Sequence, residues 1–172
     1  MTDSRFDPLA PHRVWKLGAD IDTDQLAPGH AMKNIDTAAQ YCLEAVRPEF
    51  AREVRRGDVI AAGANFGIGS SREQAASLLV QLGVAAVIAP SYSGLYFRNA
   101  FNLGLLLLTC PQAELMQEGE IITMDVTRPA IFCGAARLAC DPVPDFLMEM
   151  VRHGGLLNQL RVRYGKPVVA LQ

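Results

Sequence analysis

Residues 59–89 constrain the fold more than any other stretch of the chain. Val59-Ile-Ala-Ala-Gly63 is a short apolar run that leads into a glycine-rich segment, Gly63-Ala-Asn-Phe-Gly-Ile-Gly69. Residues 70–82 then place Ala75, Leu78, Leu79 and Leu82 at helical spacing, and Gly83 follows where a left-handed C-terminal cap would stand. Residues 84–89 are apolar throughout, as expected of a strand covered on both faces. Two such strands joined by a helix make a βαβ unit, and that connection forces the strands to run parallel.

The rest of the chain is more mixed. Residues 13–17 read as a first strand running into an Asp-rich polar loop, 18–29. Residues 37–46 show helical spacing, with Ala38, Tyr41, Cys42 and Ala45 on one side, and Pro48 breaks the pattern before a short helix over 48–54. Further helices are expected over 91–103, 111–117 and 144–152, and strands over 105–108 and 120–126. Residues 131–133 and 136–140 form a hairpin around Gly134. The fold class is therefore α/β with a mixed parallel and antiparallel sheet. At 172 residues the chain fits a single domain over 1–172, with an N-terminal extension over 1–12 and a C-terminal tail over 160–172.

Composition excludes several classes of function. Half the residues are hydrophobic and a fifth are charged, which is not the signature of disorder. A formal net charge of −2 offers no basic stripe for nucleic acid. The first residues, Met-Thr-Asp-Ser-Arg-Phe-Asp, contain no apolar signal region, and the longest apolar run, near 103–110, is far too short for a membrane span. The cysteines, Cys42, Cys110, Cys133 and Cys140, include no CxxC pair, so no metal is expected on this chain and the thiols are read as reduced. The expected compartment is the cytoplasm, with neither a membrane nor a nucleic acid as partner.

Three segments could carry chemistry. Gly67-Ile-Gly69-Ser-Ser-Arg-Glu73 joins close-approach glycines to a helix start, where unpaired N–H groups favour an anion. The competing reading is a simple capping box, Ser70-x-x-Glu73. Arg72 favours the anion site, because a cation at a helix start opposes the dipole and is better explained as a two-pronged grip on a carboxylate. The segment is neither a Walker loop nor a dinucleotide fingerprint. Asp20-Ile-Asp22-Thr-Asp24 resembles a calcium loop in its first positions but has Gln25 and Ala31 where Gly and Glu are required. It reads either as an Asp-rich turn with local caps or as the source of one site carboxylate. Tyr96-Phe-Arg-Asn99 reads as a helix with aromatic residues inward and Arg98 and Asn99 outward. His12, His30 and His153 lack metal spacing; His153 suits a helix end, and His30 follows Pro28-Gly29 in the polar loop.

Taken in order, these strings resemble the small subunit of 3-isopropylmalate dehydratase, the free-standing counterpart of the aconitase swivel domain. They are the segment 20–29, Arg47-Pro-Glu-Phe-Ala51, Gly57-Asp-Val-Ile60, the run 63–73, Ile88-Ala-Pro-Ser91, Phe97-Arg-Asn-Ala100 and Gly154-Gly-Leu-Leu157. The resemblance implies a swivelling β/β/α domain and a hydro-lyase that isomerises a hydroxy di- or tricarboxylic acid by dehydration and rehydration. It also implies an aconitase-like large subunit holding a [4Fe–4S] cluster, with none on this chain. By motif match, Ser70 is the base and Asp24 the second catalytic residue. Ser71, Arg72 and His30 contact the small carboxylic-acid substrate, and Gly67, Gly69 and Gln74 support the site.

Departures from the family pattern bear on the substrate more than on the reaction class. Ile68 stands where Cys is usual, Gln74 where His is usual, and His30 where the isopropylmalate enzymes carry Arg. Gly104-Leu-Leu-Leu replaces a Gly-Leu-Leu-Pro pattern. The expected reaction interconverts 3- and 2-isopropylmalate in leucine biosynthesis. The alternatives are a paralogue acting on homoaconitate, a methylated malate or citraconate, and a non-catalytic carboxylate-binding subunit.

Overall fold

The computed structural model describes Asp7 and residues 9–165. Most of the expected N-terminal extension and the end of the expected tail lie outside the described residues. Seven strands form one sheet in the order β4-β3-β2-β1-β5-β6-β7. The strands β1 (His12–Lys16), β2 (Val59–Ala61), β3 (Ala86–Ala89) and β4 (Leu106–Thr109) are parallel, with Val14 opposite Val59, Val59 opposite Ala86, and Ala86 opposite Leu106. On the other side of β1, β5 (Ile121–Asp125), β6 (Ala130–Cys133) and β7 (Ala136–Ala139) continue antiparallel. The mixed sheet and the βαβ unit are as the sequence predicts.

Burial explains the division. Every residue of β2 and β3 is buried, since helices cover the parallel half. The hairpin β6–β7 is less covered: Phe132 is half exposed, and Leu138 is the one buried residue of β7. The sheet also curls until its two ends meet. The Asp141 N–H, just after β7, donates to the carbonyl of Thr109 at the end of β4 at 2.8 Å. The Cys110 and Cys140 thiols there lie within hydrogen-bonding reach of each other. Neither sheet end is thus left as a long open edge.

Six helices complete the described residues: α1 (Thr23–Leu26), α2 (Phe50–Glu53), α3 (Gln74–Gln81), α4 (Gly94–Asn102), α5 (Asp145–Arg152) and α6 (Leu156–Tyr164). Tyr96, Phe66 and Phe101 fill the core between helices and sheet. Trp15 is buried edge-on against Phe50, with ring centroids 5.1 Å apart, and the guanidinium groups of Arg13 and Arg47 both stand 5.0 Å from its ring centroid. Its indole N–H donates to Asp58 at 2.8 Å. Arg47, from one of the quoted motifs, is fully engaged in the frame. It pairs with both oxygens of Glu118 at 3.0 Å and donates to Glu49 and to the carbonyl of Lys16.

Four expectations require correction. The helix over 37–46 does not form; a 3-10 turn, Ala38–Tyr41, precedes Leu43 at φ +61°, which no helix accommodates. Leu43 adopts that angle because its side chain is fully buried and its N–H reaches the carbonyl of Gln25. Tyr41 and Ala45, expected on the buried side, are exposed. The helix over 111–117 shrinks to a 3-10 turn, Ala113–Leu115. The helix expected from residue 70 starts at Gln74. Finally, the expected tail is helical over its first described residues: α6 runs to Tyr164, and none of its residues is fully buried, so no apolar stripe signals it.

Candidate functional site

The carboxyl ends of β1, β2 and β3 each run into a loop, and the three loops lie side by side. Asp20 N–H donates to the carbonyl of Ala64 at 2.8 Å, Gly67 N–H to Ile21 at 2.7 Å, and Thr23 N–H to Ile68 at 2.8 Å. Phe66 N–H donates to Ser91 at 3.0 Å, and Ser93 N–H returns to Phe66 at 2.9 Å. Short parallel bridges pair Asp22 with Ile68 and Phe66 with Tyr92. Sheet hydrogen bonding thus continues past the strands and carries the Asp-rich motif onto the glycine-rich one. Open α/β sheets place ligand sites at this carboxyl edge.

Local sequence fixes each loop. Asp20 and Asn65 both adopt left-handed φ, +57° and +61°, and the Asn65 amide donates to Asp20 Oδ1 at 2.8 Å. Short polar side chains of this kind tolerate that region best. Asp22 caps α1: its carboxylate accepts from the Gln25 N–H at 2.8 Å, and Gln25 Oε1 accepts from the Asp22 N–H at 2.9 Å. The chain therefore does contain a capping box, as Asp22-x-x-Gln25. The box expected at Ser70-x-x-Glu73 is absent; Glu73 sits at the N-cap of α3 with no side-chain cap bond. Ser70 faces the other way. Its N–H donates to Thr23 Oγ1 at 3.0 Å, and its Oγ lies 3.1 Å from the same atom.

The site residues gather around this contact. Ser70 and Ser71 are exposed, and the carbonyl of Ser71 accepts from the Asn99 amide at 3.1 Å. Arg72 precedes α3 rather than occupying its first turn. Its guanidinium reaches back to the Asp-rich loop, donating to the carbonyl of Ala27 at 2.5 Å and pairing with Asp24 Oδ1 at 2.8 Å. The Arg72 side chain is 25% exposed and that of Asp24 is 73% exposed, so the pair stands at the surface with three guanidinium N–H donors uncommitted to these two partners. Gly67 lies under the loop at φ +77°, directly on the buried ring of Tyr96. Gly69 faces Thr23.

Two expected residues stand apart from this cluster. His30 packs edge-on against Tyr41 at 5.3 Å, and its Nε2 lies 3.0 Å from Glu44 Oε1. Gln74 opens α3, and its carbonyl accepts from Ser77 Oγ at 3.3 Å. Sequence reasoning missed Thr23, which is 1% exposed, and placed Asn99 outward with no role. The Asp22-x-x-Gln25 box would have located the start of α1 and thus Thr23; Asn99 lies within the quoted Phe97-Arg-Asn-Ala100 string, which was the signal that could have found it.

Chemically, the arrangement offers a guanidinium and exposed hydroxyls for a carboxylate, beside a serine oxygen fixed at its backbone. Among the described residues, no three His, Cys, Asp or Glu side chains converge as a metal site. Cys42 is buried, and burial pushes its thiol up to about 12, which suits packing rather than ligation. No helix among the described residues is long and apolar enough to cross a membrane.

Comparison with known proteins agrees with this geometry. The model of the aconitase C-terminal domain matches residues 20–113, more than half the chain. The 3-isopropylmalate dehydratase small subunit 1 of Archaeoglobus fulgidus is 41% identical over 150 residues, covering 85% of this chain and 93% of that one. Its counterpart from Thermotoga maritima is 35% identical over 162 residues, covering 91% and 98%. A crystal structure of 3-isopropylmalate dehydratase from Methanocaldococcus jannaschii superposes with a TM-score of 0.83 at 34% identity, covering 90% of this chain and 94% of that one. The chain therefore belongs to the aconitase C-terminal domain family, and within it to the 3-isopropylmalate dehydratase small subunits.

Proposed function

We propose that the chain is the catalytic small subunit of a hydro-lyase that interconverts 3- and 2-isopropylmalate in the cytoplasm, acting on leucine biosynthesis together with an aconitase-like large subunit. Ser70 Oγ takes the proton from the carbon next to a substrate carboxylate, and hydroxide leaves the adjacent carbon. Rehydration in the opposite sense returns the Ser70 proton to the carbon that lost the hydroxyl and adds hydroxide to the other. The substrate carboxylate sits on Arg72 and Ser71, and Asp24 holds the guanidinium in place. A [4Fe–4S] cluster on the large subunit supplies the Lewis acidity that departing hydroxide requires.

The observation that carries this reading is the Asp24–Arg72 pair, which brings the two motifs together beside the exposed Ser70. Ile35, Tyr41 and Leu95, on segments flanking the site, are exposed apolar side chains that suit cover by a large subunit. A second reading, a paralogue acting on another malate-type acid, is favoured by His30: its contacts with Glu44 and Tyr41 give this loop a different polar surface from an arginine. The test is anaerobic co-purification with the large subunit, followed by turnover of a panel of malate-type acids. Highest kcat/KM for 3-isopropylmalate supports the first reading, and preference for a methylated or homologated acid supports the second. No turnover of any acid by a cluster-intact complex refutes both.

A further inference from the structure

We propose that Thr23 is a positioning residue for Ser70, whose hydroxyl donates to Ser70 Oγ and holds that oxygen ready to receive the substrate proton. This rests on the reading of Ser70 as the base. The argument is one of hydrogen accounting. Thr23 Oγ1 accepts the Ser70 N–H at 3.0 Å, which fixes where the threonine oxygen lies but leaves its own proton to be placed. Among the described residues, the one acceptor recorded for that proton is Ser70 Oγ, at 3.1 Å. With Thr23 as donor, the Ser70 proton is released toward the open side of the loop, where Ser70 is exposed.

Thr23 is suited to the task because it cannot turn away. It is 1% exposed, it is the first residue of α1 behind the Asp22 cap, and its own N–H is tied to Ile68. An ideal Cβ placed on Gly69 would lie 3.0 Å from Thr23 Oγ1, so the glycine leaves the space that this hydroxyl occupies. A donor fixed before the reaction costs no reorganisation when charge develops on the oxygen it faces. Ser70 becomes an alkoxide by giving its proton to solvent water on the exposed side, and the Thr23 O–H stabilises that alkoxide; when Ser70 takes the substrate proton, the same bond persists to a neutral hydroxyl.

The predicted signature is a pH effect. The charged groups on the segments around Ser70 are Asp20, Asp22 and Asp24 before and within α1, Arg72 and Glu73 on its own loop, and Arg98 on α4. Asp22 is committed to its cap and Asp24 to Arg72. Replacing Thr23 by a neutral isostere changes none of these charges. A shift in the profile therefore reports the lost hydroxyl.

The experiment compares wild type, Thr23→Val, Thr23→Ser and Ser70→Ala in the assembled two-subunit enzyme, using 3-isopropylmalate as substrate. Thr23→Val lowers kcat by about 100-fold, the low end for one preorganised donor. KM stays within about threefold, and the ascending, acid-side limb of kcat/KM, where the base becomes active, moves to higher pH. Thr23→Ser restores kcat and the profile. Thr23→Ala, which adds no bulk, serves the same comparison if the valine variant does not assemble. Wild-type kcat in the hydroxyl-less variant overturns the proposal, and so does a loss that leaves the profile unmoved and that serine does not rescue. Retained turnover in Ser70→Ala instead overturns the reading of Ser70 as base, and separates that failure from this one.

Discussion

Gly67→Ala is expected to be among the most damaging single-methyl additions this chain can receive. At φ +77°, alanine enters the left-handed region at about 1–2 kcal/mol. Its Cβ would also stand 2.1 Å from Tyr96 Cγ and 2.4 Å from Tyr96 Cβ. Reaching an ordinary contact of 3.4 Å requires a retreat of about 1.3 Å by a ring that is 2% exposed and packed on Phe66. Overpacking of this kind adds about 1–3 kcal/mol, for a total of about 2–5 kcal/mol. Gly119→Ala is the control, because Gly119 has φ +73° with nothing within 4 Å of the added Cβ and pays the backbone cost alone. Guanidinium denaturation of both variants and wild type, compared at equal m-value, isolates the steric part. The reasoning is refuted if Gly67→Ala costs no more than Gly119→Ala.

Two further predictions concern the frame. Tyr96 Oη is buried without a hydrogen-bond partner among the described residues, so Tyr96→Phe should stabilise the chain by about 1 kcal/mol in the same denaturation assay; destabilisation would mean the hydroxyl has a partner. Asp58 is buried, which pulls its carboxyl up, but hydrogen bonds from Arg13, the Arg55 N–H and the Trp15 indole outweigh burial and hold it below the usual range. A lowered folded pKa stabilises the fold above the unfolded value of about 3.9 and is lost as pH falls through the folded value. Asp58→Asn should therefore cost about 1–3 kcal/mol at neutral pH, and its gap to wild type should narrow below about pH 4. A gap independent of pH would contradict the assignment.

Legibility followed how local the determinants were. The βαβ unit could be read because two continuous apolar runs and one helical stripe lie within a single stretch, and Gly83 has the left-handed φ, +84°, expected at the end of its helix. The helical spacing over 37–46 misled because Leu43 is held by a distant partner, the carbonyl of Gln25, which overrides the local pattern. For α6 the reverse holds: its helix is local, but it buries too little apolar surface to leave a stripe.

The site divided in the same way. Asp24, Ser70 and Arg72 were visible as residue types in two motifs, yet their meeting depends on backbone bonds between separate loops, which no spacing encodes. Ser70 shows the consequence. Its sequence context suggests a helix cap, and the arrival of Thr23 on the neighbouring loop turns it to a different partner. Arg72 likewise looked like a cation set against a helix dipole, and instead it links two loops ahead of the helix.

Ser70→Ala in the assembled enzyme tests the central claim most directly. The hydroxyl's one recorded contact is with Thr23 Oγ1 within this chain, so the variant should still pair with the large subunit and bind substrate with a Kd within about threefold of wild type. Its kcat should fall by about 10²–10⁴-fold, the range for losing a general base. Near-wild-type kcat in a fully assembled complex would contradict the assignment of Ser70 as the base, and with it the account of the site.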